Sequence, residues 1–200
     1  IHRFDDRTPV EETLAALADL VAAGKVRHLG ISNETPWGTM RFMHLAETLG
    51  LPRMVTNQNP YSLLNRTFES GCAEVAMREQ VGLFAYAPMA AGALSGKYLG
   101  GARPEGARMT MYPGNTRYLG PPNAELATRA YVDLAAKHGL EPGQMALAFV
   151  NRQPFLTSNI IGASSMEQLK VDLTSVDLEL SDDVLTGIEE IHKRYTYPCP

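Results

Sequence analysis

The strongest constraint on this chain is a repeat of short apolar segments, each ending in polar residues and separated from the next by a helix-like stretch. Val26-Arg27-His28-Leu29-Gly30-Ile31-Ser32, Met54-Val55-Thr56-Asn57-Gln58 and Gly82-Leu83-Phe84-Ala85-Tyr86-Ala87 read as strands, about thirty residues apart. Asn159-Ile160-Ile161-Gly162 reads as a fourth. A strand, a helix and a second strand at this spacing form the βαβ unit, whose crossover connection makes neighbouring strands parallel. The class is therefore α/β. Four such units, with the end of an earlier strand at residue 1, fit two architectures. One is a small open sheet. The other is about half of a (β/α)8 barrel, which needs eight strands and roughly 250 residues.

The intervening helices carry their own signals. Thr8 is expected to cap the first helix, with Pro9 at its first position, Glu11 completing a capping box, and Leu14, Leu17, Ala18 and Val21 on one face. Gly24 is its expected stop. Pro36 opens a helix that runs through Phe42 and Leu45 to Gly50, and another covers roughly 69–80, stopped by Gly82. Residues 88–122 break the pattern. They are rich in Gly, Pro, Arg, Tyr and Met and show no helical or strand period, and a stretch this long inside a compact domain is usually functional. Asn123 caps a helix to about His138, and Pro142 begins one through Met145, Leu147, Ala148 and Val150. Ser164 or Ser165 caps the next, and Ser181 starts a last helix through Leu185, Ile188 and Ile191.

Composition narrows the function classes. The 200 residues are 44% hydrophobic and 20% charged, enough for one domain with a real core. The formal net charge of −4, with scattered basic residues, argues against a sequence-independent grip on nucleic acid or anionic lipid. No apolar run is long enough to cross a bilayer, so membrane insertion is not expected. Two cysteines, Cys72 and Cys199, do not make a disulfide framework, and a cytoplasmic home is the simpler expectation. The histidines have no metal-ligand spacing, so no metal site is expected. There is no nucleophile elbow, Walker-type loop or G-x-G-x-x-G. The chain opens on Ile1-His2-Arg3-Phe4-Asp5, without an initiator Met, so a processed chain or a fragment is expected, and the motifs below favour a fragment.

In parallel α/β folds, ligands gather at the C-terminal ends of the strands. The residues there are His2, Ser32-Asn33, Asn57-Gln58, Tyr86-Ala87-Pro88 and Gly162-Ala163-Ser164. Ser, Asn and Gln hydrogen-bond a carboxamide in both directions. Tyr86 offers a flat face to a ring. Gly162 to Ser165, at a helix start, suits an anion, and Lys97 and Arg108 in the long loop offer positive charge to a phosphate. Each feature also has a plainer use. Ser32-Asn33 before Pro36 fits an ordinary turn, as does Asn57-Gln58-Asn59-Pro60. Tyr86 fits a core position, and Gly162 to Ser165 fits a simple strand-to-helix connection. What favours a site is that all these clusters fall on one rim of one sheet.

Four segments carry a family resemblance. They are Gly24-Lys25-Val26-Arg27-His28-Leu29-Gly30-Ile31-Ser32-Asn33; Asn57-Gln58-Asn59-Pro60-Tyr61-Ser62; Ala85-Tyr86-Ala87-Pro88-Met89-Ala90-Ala91-Gly92-Ala93-Leu94-Ser95-Gly96-Lys97-Tyr98; and Gly162-Ala163-Ser164-Ser165-Met166-Glu167-Gln168-Leu169. In this order and spacing they resemble the aldo/keto reductase family, in the branch of Tas-like oxidoreductases and potassium-channel β subunits. The resemblance implies a (β/α)8 barrel, a TIM barrel, of which residues 1–200 supply about the C-terminal half as one partial domain, from the end of strand 4 through strand 8 and the C-terminal helix. It implies NADPH across the C-terminal rim, and reduction of an aldehyde or ketone by hydride transfer. Ser32, Asn33 and Gln58 would hold the nicotinamide carboxamide and Tyr86 would stack on its ring. Ala87, Pro88, Met89, Ala90 and Lys97 would line the pyrophosphate. Arg108, and more weakly Arg117, would reach phosphates, with the 88–122 loop folding over the cofactor. Gly162, Ser164 and Gln168 would surround the adenosine and its 2′-phosphate. Asp172 departs from the family's usual Asn and puts adenine recognition and the preference for NADPH over NADH in question, since a carboxylate accepts but does not donate.

Of the family's catalytic Tyr, Lys, Asp and His, the resemblance maps only His2, so the chain alone is expected to be inactive as a reductase and, as a half-barrel, unstable. The expected partner is a small carbonyl substrate. An alternative function is a nucleotide-binding regulatory subunit of the channel β-subunit type with little turnover. A third is an unrelated phosphate-binding α/β barrel, against which the Tyr86 stack and the Ser32-Asn33/Gln58 set argue.

Overall fold

A computed structural model describes residues 1–114 and 116–199; Asn115 of the predicted loop and the final Pro200 lie outside the described residues. The element order is α1 (Val10–Ala22), β1 (Leu29–Ser32), α2 (Pro36–Leu49), β2 (Met54–Pro60), α3 (Cys72–Glu79), β3 (Gly82–Tyr86), α4 (Arg108–Met111), α5 (Ala124–Lys137), α6 (Pro142–Asn151), β4 (Leu156–Ile160), α7 (Met166–Thr174) and α8 (Asp182–Arg194). The strands form one sheet in the order β1-β2-β3-β4. Strands β1 and β2 run parallel, with Ile31 opposite Asn57 and Ser32 opposite Gln58. The parallel pairing is what the thirty-residue period predicts; that consecutive strands are neighbours is added by the structure.

Local chemistry explains where elements begin and end. Thr35 caps α2 by accepting the Gly38 N–H at 3.0 Å, Pro36 sits in the first turn, and Gly50 closes the helix in the left-handed region at φ 64°. The start of α1 differs from the capping box expected at Thr8. Pro9 is the cap, with no side-chain bond, because the Thr8 hydroxyl donates to Asp5 Oδ2 at 2.6 Å instead, and Glu11 pairs with Arg41. Strand β1 starts three residues later than expected, because the N–H groups of Lys25 and Val26 both turn back to the Leu20 carbonyl after the helix. The helix expected over 69–80 is split. A short 3₁₀ turn, Thr67–Glu69, precedes Gly71 at φ 100°, and α3 follows. Gln80, left-handed at φ 54°, ends α3, while Gly82 opens β3. Strand β4 lies three residues earlier than expected, at Leu156–Ile160, and stops before Gly162.

Contacts divide the chain into two units. The first comprises Ile1–Asn59, Phe68–Phe84 and Pro154–Ser158. Its core packs Leu14, Leu29, Ile31, Phe42, Leu45, Ala46, Met54 and Val81, with Leu17, Val21 and Val26 partly buried against them. Gly30 lets β1 approach β2 closely, since a Cβ there would come within 2.5 Å of Thr56 Oγ1. Phe68 and Phe155 meet with ring centroids 5.5 Å apart.

The second unit comprises Pro60–Thr67, Ala85–Gln153 and Asn159–Pro200. Helix α6 is buried at every position from Met145 to Val150, so its pattern shows no polar stripe. The Tyr61 ring stacks near Phe149 at 6.2 Å, and Arg66 covers the other ring's face at 5.1 Å while pairing with Glu189 at 2.8 Å. Helix α8 buries Val184 and Ile188, whereas Leu185 and Ile191 stay half-exposed, a rotation from the face the sequence suggested. The predicted 88–122 loop is not structureless. It winds through 3₁₀ turns at Ala90–Ser95 and Leu99–Gly101 and the single turn α4, and buries Leu94, Tyr98, Met109 and Tyr118.

Candidate functional site

The first unit gathers three of the predicted site residues into one knot. Strand β1 ends at Ser32, whose hydroxyl donates to the Gln58 carbonyl at 2.7 Å. The Asn33 N–H donates to the same carbonyl at 2.9 Å. The Asn33 amide donates to Ser32 Oγ at 3.0 Å and to the His2 carbonyl at 2.9 Å. Asn33 holds φ 58°, a left-handed conformation that Asn tolerates better than most residues, and this turns its side chain back over the strand end. His2 thus sits beside the knot through its backbone, with its imidazole exposed. The period of two in β2 separates neighbours. Asn57 and Asn59 are buried, and their amides reach the Glu34 carbonyl at 3.4 and 3.2 Å, while Gln58 faces the opposite way and is half-buried.

The second unit carries the remaining predicted residues. Tyr86 ends β3 and its carbonyl accepts the Tyr61 N–H at 3.3 Å. From there the backbone enters the left-handed region repeatedly, at Ala87 (φ 54°), Ala90 (φ 49°), Ala91 (φ 55°) and Gly92 (φ 89°). Non-glycine residues held this way store strain of order 1 kcal/mol each, and such strain concentrates at ligand-holding turns. The Lys97 side chain lies along this turn. A Cβ added at Gly92 would meet its Cε at 2.9 Å and Nζ at 3.0 Å, and the ammonium sits 5.4 Å from the Tyr98 ring centroid. Pro88 is buried and Met89 half-buried.

Arg117, the weaker of the two predicted loop arginines, is the one placed against Tyr86. Its guanidinium lies 6.0 Å from the Tyr86 centroid and 5.5 Å from that of Tyr118. Arg108 begins α4 and is exposed. Burial pushes the Tyr118 hydroxyl above its ordinary value, with the nearby Arg117 opposing that shift.

Near the end of the chain, Ser165 caps α7 by accepting the Gln168 N–H at 3.2 Å. Gln168 Oε1 returns the favour, accepting from the Ser164 N–H and hydroxyl, both at 3.0 Å. Gly162 is exposed, with open space where a Cβ would stand. Asp172 is buried on α7, and burial raises its carboxyl above the usual aspartate value. Glu141 adds to that shift and Lys97 opposes it. Gln144 ties α6 to α7 by donating to the Val171 carbonyl at 3.1 Å and Thr174 Oγ1 at 2.7 Å.

Sequence reasoning missed Glu34 and Tyr118. Both are buried, yet each sits in a segment that reads as loop, where a carboxylate or a tyrosine is unremarkable. Among the described residues no group of three or more His, Cys, Asp or Glu side chains is placed to hold a metal ion, and no helix is long and apolar enough to cross a membrane.

Residues 1–193 match the aldo/keto reductase family, and the chain belongs to it. Protein tas of Escherichia coli (strain K12) is 56% identical over 189 residues, covering 94% of this chain and 54% of that protein. The aldo-keto reductase of Babesia bovis is 35% identical over 205 residues, covering 97% of this chain and 70% of that one. The L-glyceraldehyde 3-phosphate reductase of Escherichia coli O157:H7 is 35% identical over 195 residues, covering 94% of this chain and 56% of that enzyme. The chain thus spans about half the length of Tas and of the glyceraldehyde 3-phosphate reductase.

Proposed function

We propose that this chain supplies the cofactor-holding part of a cytoplasmic oxidoreductase that reduces an aldehyde or ketone to an alcohol with NADPH, within a (β/α)8 barrel to which it contributes four βα units. The observation that carries the reading is the knot of Ser32, Asn33 and Gln58. It joins the Asn33 amide and the Ser32 hydroxyl over the backbone carbonyl of Gln58, which stands opposite Ser32 in register, and these are residue types that hydrogen-bond a carboxamide in both directions. The group would supply the hydride; the protein supplies position and charge. In this reading Ser32, Asn33 and Gln58 hold the nicotinamide carboxamide, and Tyr86 packs on its ring. Residues 87–92 and Lys97 receive the pyrophosphate, the lysine that lies along the strained turn bringing its charge. Arg117 and Arg108 add positive charge from the loop, while Ser164 and Gln168, beside Gly162, take the 2′-phosphate side. Asp172 lies toward the adenine, and His2 orients the substrate carbonyl. No residue of this chain is assigned the role of general acid.

One relative's name states that it reduces L-glyceraldehyde 3-phosphate, so small phosphorylated and unphosphorylated aldehydes form the first substrate panel. The test is aldehyde-dependent NADPH oxidation by the full-length protein. Turnover that falls with Gln58→Ala supports the reading. Tight NADPH binding without turnover on any carbonyl replaces it with a regulatory nucleotide-binding role, and no binding removes it.

A further inference from the structure

The first unit buries a carboxylic side chain directly beside the knot. Glu34 follows Asn33 and is only 5% exposed. Its carboxyl lies against the first turn of α2, where a Cβ added at Gly38 would collide with Oε2. Around it, donors are already committed. The amides of Asn57 and Asn59 from β2, and the Cys72 thiol of α3 at 3.7 Å, all point to Glu34's own backbone carbonyl. The carboxyl itself receives the Thr35 N–H. Oε1 has no hydrogen-bond partner, and neither does the buried Asn57 Oδ1. The buried Oε1 therefore lacks a donor, and burial without a donor disfavours the ionised form of the carboxyl.

We propose that Glu34 is a positioning residue of the cofactor site: a buried carboxyl that fixes the turn from which Ser32 and Asn33 project, and fixes it best in its protonated form. The proton supplies the missing donor, and the backbone carbonyl of the same residue ties the turn to β2 and α3. Among the described residues the titratable group coupled to the Glu34 charge is Cys72, and the side chains that reach its backbone carbonyl from β2, Asn57 and Asn59, are uncharged. Burial and the Glu34 charge push the Cys72 thiol up to about 11, so it stays neutral while Glu34 titrates. Burial raises the Glu34 carboxyl above its unfolded value, with the Thr35 N–H opposing. The sign follows. The stability tied to the proton is fully present below the unfolded glutamate value and is lost as pH rises through the folded one. Ionisation places a charge on a buried carboxyl whose Oε1 has no donor, and the turn beside it loosens. The functional half of this inference rests on the cofactor reading.

The test compares full-length wild type with Glu34→Gln, an isosteric residue that donates but does not ionise. Thermal melting and the NADPH dissociation constant are followed from acid to mildly alkaline pH. Infrared difference spectra against the variant look for the carbonyl band of a protonated carboxyl. The expected result is a wild-type dissociation constant that rises with pH, by up to about tenfold per unit within the titration. Glu34→Gln stays flat, and its melting advantage over wild type grows across the same window. Superimposed pH profiles in both measurements overturn the proposal. Melting profiles that separate while binding profiles coincide overturn the positioning role. If neither protein binds NADPH at any pH, the cofactor reading falls, and the melting and infrared arms alone decide whether Glu34 carries its proton.

Discussion

Asn33 does three things at once: it turns the chain at φ 58°, donates its N–H to Gln58, and donates its amide to Ser32 and to His2. These uses separate by substitution. Asn33→Gly keeps the backbone conformation and loses the amide, at a cost of about 1–2 kcal/mol. Asn33→Ala loses the amide and adds roughly 1 kcal/mol of left-handed strain. Denaturant unfolding of the full-length protein should therefore rank wild type above Gly above Ala; Ala above Gly would contradict the backbone argument. The thiols give a second residue-scale expectation. Burial pushes both Cys72 and Cys199 up to about 11, so both should resist alkylation in the native protein at neutral pH. Their contribution to stability should persist below the unfolded thiol value and fade as pH climbs through about 11. Rapid native-state labelling would refute the burial. That Ser32 and Asn33 stand at the end of β1, with Gln58 beside them on β2, was legible from the strand period. Glu34 was not, since an acidic residue ahead of a helix N-terminus reads as solvent-facing, and only the packing of β2 and α3 buries it.

Elements were legible where a local signal survived tertiary competition. Pro36 with Thr35, Pro142 and Ser181 each mark a helix start that the structure keeps. The start of α1 moved because Asp5 took the Thr8 hydroxyl, a contact no capping pattern encodes. Strand β4 moved because its apolar run continues past Ile160, and nothing in the residues themselves says which part pairs. The long loop looked structureless because 3₁₀ turns have no wide apolar face, although its tyrosines and Met109 build part of the second unit's core. Caps give an element-scale prediction. The hydroxyls of Ser165 and Ser181 accept from the N–H groups of Gln168 and Val184, whereas Asn123 makes no side-chain cap bond. Ser165→Ala and Ser181→Ala should each cost about 1 kcal/mol in chemical denaturation, and Asn123→Ala far less. Equal losses at all three would show that the caps act through something other than these bonds.

At the scale of the whole molecule, the strand period predicts a parallel α/β sheet, which the structure has, and the match over residues 1–193 puts the chain in the aldo/keto reductase family. The barrel, the hydride chemistry and the substrate remain tied to the full-length protein, because the chain spans about half of Tas and of the glyceraldehyde 3-phosphate reductase. The formal net charge of −4 makes the placing of positive charge informative: against that background, Lys97 lies along the strained turn and Arg117 against Tyr86. If the turn receives a pyrophosphate, removing the lysine should weaken binding by roughly tenfold, the order of one charge-assisted hydrogen bond, and should reduce its salt dependence. The most direct test of the account is NADPH titration of the full-length protein by protein fluorescence, for wild type and Lys97→Met at low and high salt. Saturable binding that weakens with salt is expected in the wild type, and weaker, less salt-sensitive binding in the variant. No saturable binding in the wild type, or identical titrations for the two proteins, would contradict the cofactor reading.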